Sequence, residues 1–368
     1  MKFKTFLMRI GAIALLVLPP WVAVRAAIAF ADYIGIGLQA QLDPILQKLN
    51  ALPSLPAALL AGDYGLVAML PFLFLYALPT AVVFAMLTEA YRSSGLLPRL
   101  SALLHPWTVK IGLEGEDLVR VHMGFGCNVP AVHRAKACND CTKEACISAI
   151  AFGAACSYQH PATLAVLAAA GRADLSSLYL GLLVLSTVLF LRVFYGGSRS
   201  LALQLPAPVP TGSLQWPAPQ SLLKHGWVQT LDFSKDVVTV FAGVCFVAAL
   251  AAWSGLLALL DRLAGPLMAL LGLPAEVASA VVMSAVRKNG MATILIDPAG
   301  GLKVPLQSAS HLLGAVLLAG MVVPCVVTTL ALAQSLGTKR ASQLVVRQAA
   351  VVCVLVACLT WSGKFLGF

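Results

Sequence analysis

Residues 309–335 read ASHLLGAVLLAGMVVPCVVTTLALAQS, an apolar run with no Asp, Glu, Lys or Arg and with a Pro-Cys pair at 324–325. About 20 apolar residues in a helix cross the ~30 Å hydrocarbon core of a bilayer. Runs of the same kind recur at 6–32, 65–89, 146–170, 175–195, 236–260, 275–296 and 342–363. Across all 368 residues, 60% are hydrophobic, 11% are charged and the mean hydropathy is +0.88. A soluble domain carries about 25% charged residues, so this apolar surface calls for lipid. In lipid each backbone polar group must be satisfied inside its own segment. The expected fold is therefore an all-α polytopic transmembrane helical bundle.

The formal charge of +10 follows topology and does not point to nucleic acid. Lys2, Lys4 and Arg9 flank the first run, and Arg92, Arg99, Lys110, Arg120, Arg134, Lys136 and Lys143 fall between the second and third. This places the N-terminus and that segment in the cytoplasm. The first run continues through Pro19-Pro20 towards Tyr33 without a small-residue cleavage site, which reads as a retained helix. Of nine cysteines, five lie in or beside apolar runs and Cys138, Cys141 and Cys146 fall on the reducing side, so thiols are expected.

The proline-rich stretch from Leu205 to Pro219 is the clear internal boundary. It divides the chain into an N-terminal helix with connecting segment (1–62), a first membrane repeat (63–200), a linker (201–228) and a second repeat (229–368). Each half holds long runs interrupted by Gly, Pro and polar residues. Paired interrupted helices are the mark of repeat-built transporters, although residue-level likeness of the halves is weak. Leu260–Asp297 has room for a re-entrant pair, which leaves the span count and the side of Lys339 and Arg340 open.

Four segments carry chemistry. In Gly124-Phe-Gly-Cys-Asn-Val-Pro130 the glycines let backbone come close to a ligand, and Cys127 with Asn128 offers donors to a borderline-soft cation. The same string also suits a tight helix–helix turn around an inert thiol. Cys156-Ser-Tyr-Gln-His-Pro161 places polar residues at membrane depth, with Cys156 and His160 expected on one helix face at ligand spacing. The rival reading there is a structural kink. Pro324-Cys325 alone is weak. Cys138, Cys141 and Cys146, with His133, form a possible second metal site, or else scattered thiols on an interfacial helix. Arg287 and Lys288 need partners inside an apolar stretch, and Asp297 and Glu276 are the candidates.

Gly124–Pro130, Cys156–Pro161 and Pro324-Cys325, in this order, resemble the membrane domain of the bacterial ferrous iron transporter B family over roughly 50–365. The resemblance implies two gate-like repeats with interrupted or re-entrant helices and a cysteine-lined path for Fe²⁺. Cys127, Cys156 and Cys325 would line it, with Asn128 and Ser157 as polar neighbours and His160 as an added ligand. Lys288 would match a lysine of the second gate, with Arg287 and Asn289 beside it as possible gating residues. Asn289 stands where the family has an acidic residue, and His160 where it does not usually have histidine. The family usually begins with a GTP-binding domain, but no Gly-x4-Gly-Lys-Ser/Thr string occurs here, so nucleotide control would need a separate regulatory or GTPase chain.

The expectation is a multi-pass permease of the bacterial inner membrane, not an enzyme. Its cargo would be Fe²⁺ or a similar divalent metal ion, with no permanently bound cofactor. Its partners would be lipid, the metal and another copy of itself, and no nucleic acid. Two other readings stand beside it. One is a thiol, redox or metal-assembly protein working through Cys138, Cys141 and Cys146. The other is a gate-fold transporter of a nucleoside-like solute, which Tyr158 as the sole nearby aromatic disfavours.

Overall fold

The computed structural model describes residues 2–366, except 63–64, 72–73, 75–77, 125–126, 139, 154, 157–158, 197–212, 289, 297–300, 305 and 307. The described residues form helices joined by turns, with an isolated bridge between Ile296 and Leu302 and no strand. In chain order the helices are α1 (Lys2–Asn50), α2 (Ser54–Leu60), α3 (Leu66–Pro71), α4 (Leu78–Ser93), α5 (Leu96–Thr108) and α6 (Gly115–Met123). Next come α7 (Asn128–Arg134), α8 (Lys143–Gly153), α9 (Gln159–Ala169), α10 (Ser176–Tyr195) and α11 (Pro219–Trp253). The chain closes with α12 (Leu256–Leu270), α13 (Val277–Val286), α14 (Gly290–Leu295), α15 (Ala309–Met321), α16 (Val326–Leu336) and α17 (Thr338–Leu366).

The apolar runs divide into whole helices and broken ones. Among the described residues, 175–195 and 342–363 fall within helices long and apolar enough to cross a membrane. The run 309–335 is bent by 47° between α15 and α16. Where one span was expected over 146–170, α8 stops at Gly153 and α9 starts at Gln159; over 275–296, α13 stops at Val286 and α14 starts at Gly290. The run 236–260 is interrupted at Gly255, whose φ of 77° is left-handed. Pro219, inside the expected linker, is the first residue of α11, a position where its missing N–H is harmless.

Backbone geometry exposes an internal repeat that residue identity hides. Gly95 and Gly255, both left-handed, precede α5 and α12, and both helices contain a proline, Pro106 and Pro266. Left-handed Gly112 and Gly272 follow them. Each pair is 160 positions apart (255 − 95, 266 − 106, 272 − 112), as are Glu116 and Glu276 and Met123 and Met283. In this register Asn128 corresponds to Lys288.

The chain packs as two compact units, each made of several chain segments. The first comprises Met1–Ile45, Leu70–Ser157 and Val188–Phe241; the second comprises Leu46–Met69, Tyr158–Thr187 and Ala242–Phe368. In the first, Tyr91, Leu97, Leu100, Leu104 and Val119 pack around Ala12 of α1. There the Tyr91 hydroxyl donates to the Leu15 carbonyl at 2.8 Å, and the Arg9 guanidinium lies over Trp107. In the second, α15 is buried from Leu312 to Met321 and packs on α17, α13 and α9. The inward stripe of α17 is Leu344, Gln348, Val352, Val356 and Thr360, four residues apart, while Val346, Val354 and Phe365 are exposed. That outer apolar face is the surface a bilayer covers.

Candidate functional site

The first break begins where α6 ends. Glu114 and Asp117 close a reciprocal cap at the start of α6, the Glu114 N–H donating to Asp117 Oδ2 at 2.9 Å. Gly115 lies against the backbone of Ser101 in α5, which fixes α6 at a distance no side chain permits. Past Met123, Cys127 is extended (φ −150°, ψ 131°) and α7 starts at Asn128. Asn128 is 4% exposed, and among the described residues its Oδ1 has no hydrogen-bond partner. A buried amide oxygen left unpaired costs about 1–3 kcal/mol. It is therefore an oxygen available to a ligand.

Cys156, buried, sits in the break between α8 and α9. It is not on a helix face with His160, as the spacing had suggested. Pro161 is the third residue of α9, and the first turn is where a helix tolerates proline, so the helix starts there and leaves Cys156 outside it. Ser157 and Tyr158 lie outside the described residues. In the first unit, α8 is tied down by Ser148 Oγ, 2.7 Å from Tyr195 Oη, and by the Tyr195 hydroxyl donating to Glu144 at 3.3 Å.

The second break lies between α15 and α16, within the second unit. Lys288, 4% exposed, donates from Nζ to the carbonyls of Gly320 and Val323 at 2.6 Å each and of Ala319 at 3.4 Å. Ser284 Oγ also donates to the Ala319 carbonyl, at 2.6 Å. The break leaves the last carbonyls of α15 without helical partners, and the ammonium satisfies them at the negative end of the helix dipole. Lys288 thus meets a set of backbone carbonyls; of its expected neighbours, Asp297 and Asn289 lie outside the described residues. Arg287 is the residue that ends α13. Cys325 caps the start of α16, half-buried, with Sγ 3.1 Å from Thr328 Oγ1.

Lys288→Met keeps a long chain but removes these bonds. It should destabilise the protein by about 2–4 kcal/mol, since each buried carbonyl left bare costs about 1–3 kcal/mol. A thermal midpoint in detergent equal to that of the parent protein would show that the lysine does not cap α15.

Of His133, Cys138, Cys141 and Cys146, the structure brings Cys138 and Cys146 together with Asp117. Asp117, Cys138 and Cys146 bring one ligand atom each within 4.8 Å of one another, all buried. His133 and Cys141 lie outside this group, and Cys141 is exposed. Asp117 carried one legible signal, its place three residues after Glu114, and that signal reports a helix cap and not a ligand. No disulfide joins the nine cysteines.

Broken helices with buried polar residues at the breaks, on a lipid-facing all-α scaffold, define a helical membrane protein built on paired interrupted helices. Residues 74–170 match the family model described as Gate, nucleoside recognition, a segment that contains the whole first break. Over 92 residues the chain is 34% identical to the Fe(2+) transporter FeoB of Synechocystis sp. (strain ATCC 27184 / PCC 6803 / Kazusa). That match takes in 25% of this chain and 14% of the relative's length. The resemblance to the ferrous iron transporter B family read from the motifs holds. No solved structure matches the chain.

Proposed function

We propose that the chain is a permease of the bacterial inner membrane, N-terminus in the cytoplasm, that passes Fe²⁺ or a similar divalent ion along a path including Cys127, Asn128, Cys156, Ser157, His160 and Cys325. The observation that carries this reading is the buried Asn128 Oδ1 beside Cys127, without a hydrogen-bond partner among the described residues. The internal register gives it meaning. At the equivalent position of the second repeat, Lys288 brings its own tethered cation to the carbonyls of a broken helix. In the first repeat that ammonium is replaced by a neutral oxygen ligand, and a mobile cation is what can take its place.

The mechanism is a change of coordination. A hydrated ion exchanges water for the Asn128 oxygen, carbonyls freed by the helix breaks, and one thiol at a time. Oxygen and thiol donors together suit a borderline cation, and weak successive sites let it leave. Similarity to an iron transporter supports Fe²⁺ over other divalent ions.

The test is uptake by proteoliposomes of the purified chain under anaerobic, reducing conditions, with Fe²⁺ compared with Mn²⁺, Zn²⁺ and Cu⁺. Fe²⁺ should enter selectively, and Cys127→Ser should slow its entry by about tenfold, a loss equivalent to 1.4 kcal/mol. Entry of a different ion would replace the cargo. Equal Fe²⁺ entry in parent and Cys127→Ser vesicles would remove Cys127 from the path.

A further inference from the structure

Away from the helix breaks, three ligating side chains converge inside the first unit: Asp117 from α6, Cys138 from the turn after α7, and Cys146 from α8. They are 1%, 6% and 0% exposed. The two thiols are within hydrogen-bonding reach of each other. Three soft or anionic ligand atoms within 4.8 Å, shielded from water, are the donor set of a borderline divalent metal. Asp117 is already oriented for such a role. Its Oδ2 accepts from the Glu114 N–H and its Oδ1 from Arg120 Nη1 at 2.9 Å, which fixes the carboxylate as outer hydrogen bonds fix metal ligands.

Charge supports the same reading. Two thiolates and a carboxylate carry three negative charges, and Arg120, ion-paired to Asp117, supplies one positive. A divalent cation brings the buried cluster to neutrality, whereas an empty cluster must keep its thiols protonated. We propose that Asp117, Cys138 and Cys146 form a resident binding site for a divalent cation of the zinc or ferrous type, separate from the permeation path. The bound ion staples α6 to α8 and to the turn between them. Because α6 leads into the Gly124–Asn128 break, its position is set in part by this ion.

The probe is Zn²⁺, added in slight excess to the purified full chain under a thiol-free reductant and followed by desalting and elemental analysis. The background protein carries Cys127→Ser, Cys156→Ser and Cys325→Ser, so path thiols contribute nothing and the result is independent of uptake. It should retain about one zinc per chain and show a raised thermal midpoint, as a ligand of the folded state must produce. Cys138→Ser and Cys146→Ser in that background should each lose the metal and the thermal shift, while Cys141→Ser should keep both. Cobalt in place of zinc should give thiolate charge-transfer absorption that is lost in Cys138→Ser, a readout that does not depend on global stability. Zinc retained in full by both Cys138→Ser and Cys146→Ser would overturn the proposal. So would a parent protein that holds no metal, or one whose mass under reductant shows Cys138 and Cys146 joined as a disulfide.

Discussion

Asn128→Lys is expected to stop Fe²⁺ uptake while leaving a folded, monodisperse protein. The substitution writes into the first repeat what Lys288 already is in the second, at the position 160 residues earlier. A tethered ammonium would then take the place proposed for the ion. Two unit charges 4 Å apart at an effective dielectric of 20 interact by about 4 kcal/mol, and a divalent ion doubles that to about 8 kcal/mol. Even a quarter of that repulsion, about 2 kcal/mol, lowers occupancy more than tenfold. The expected initial rate is therefore at least tenfold below that of the parent protein. Asn128→Leu removes the oxygen without adding charge and should have a smaller effect. Wild-type uptake by Asn128→Lys vesicles would sink the equivalence of the two breaks and the path drawn through Asn128.

The pairing of Asn128 with Lys288 shows what the sequence could and could not say. Membrane class was legible because hydropathy is local: residues 309–335 need no tertiary knowledge to be read as a span. So was the break at Gly124–Pro130, since two glycines and a proline within seven residues interrupt any helix. What lies across space was not legible. Lys288 meets carbonyls, which every residue carries and no sequence marks. The face shared by Cys156 and His160 failed because Pro161 starts a helix there instead of kinking one. Asp117 joins two cysteines more than twenty positions away through the folding of α6 onto α8, and spacing arguments reach only along one element. The repeat itself became visible once the sign of φ at Gly95, Gly112, Gly255 and Gly272 gave four ordinary glycines special weight.

The fold that holds the first break depends on one close approach, and Gly115→Val is expected to break it. A Cβ at residue 115 would lie on the Cα of Ser101 and 2.5 Å from its carbonyl oxygen. The atoms in the way are backbone, so no rotamer change in α5 relieves the clash, and α5 and α6 must separate. Overpacking of a fixed core costs about 1–3 kcal/mol and at times more; with backbone on both sides the upper part of that range applies. The damage should travel further than stability. Asp117 is two residues on, so moving α6 pulls its carboxylate away from the two thiols. Gly115→Val should therefore lower the thermal midpoint by several degrees and also abolish zinc retention in the path-cysteine background. Gly181→Ala is the contrast: nothing lies within 4 Å of its added Cβ, and alanine in a helix interior gains about 0.5–1 kcal/mol over glycine. A Gly115→Val protein as stable as Gly181→Ala would mean that α5 and α6 do not rely on this contact. If it lost stability yet kept its zinc, the cluster would be independent of where α6 sits, and the ion could not be what positions the break.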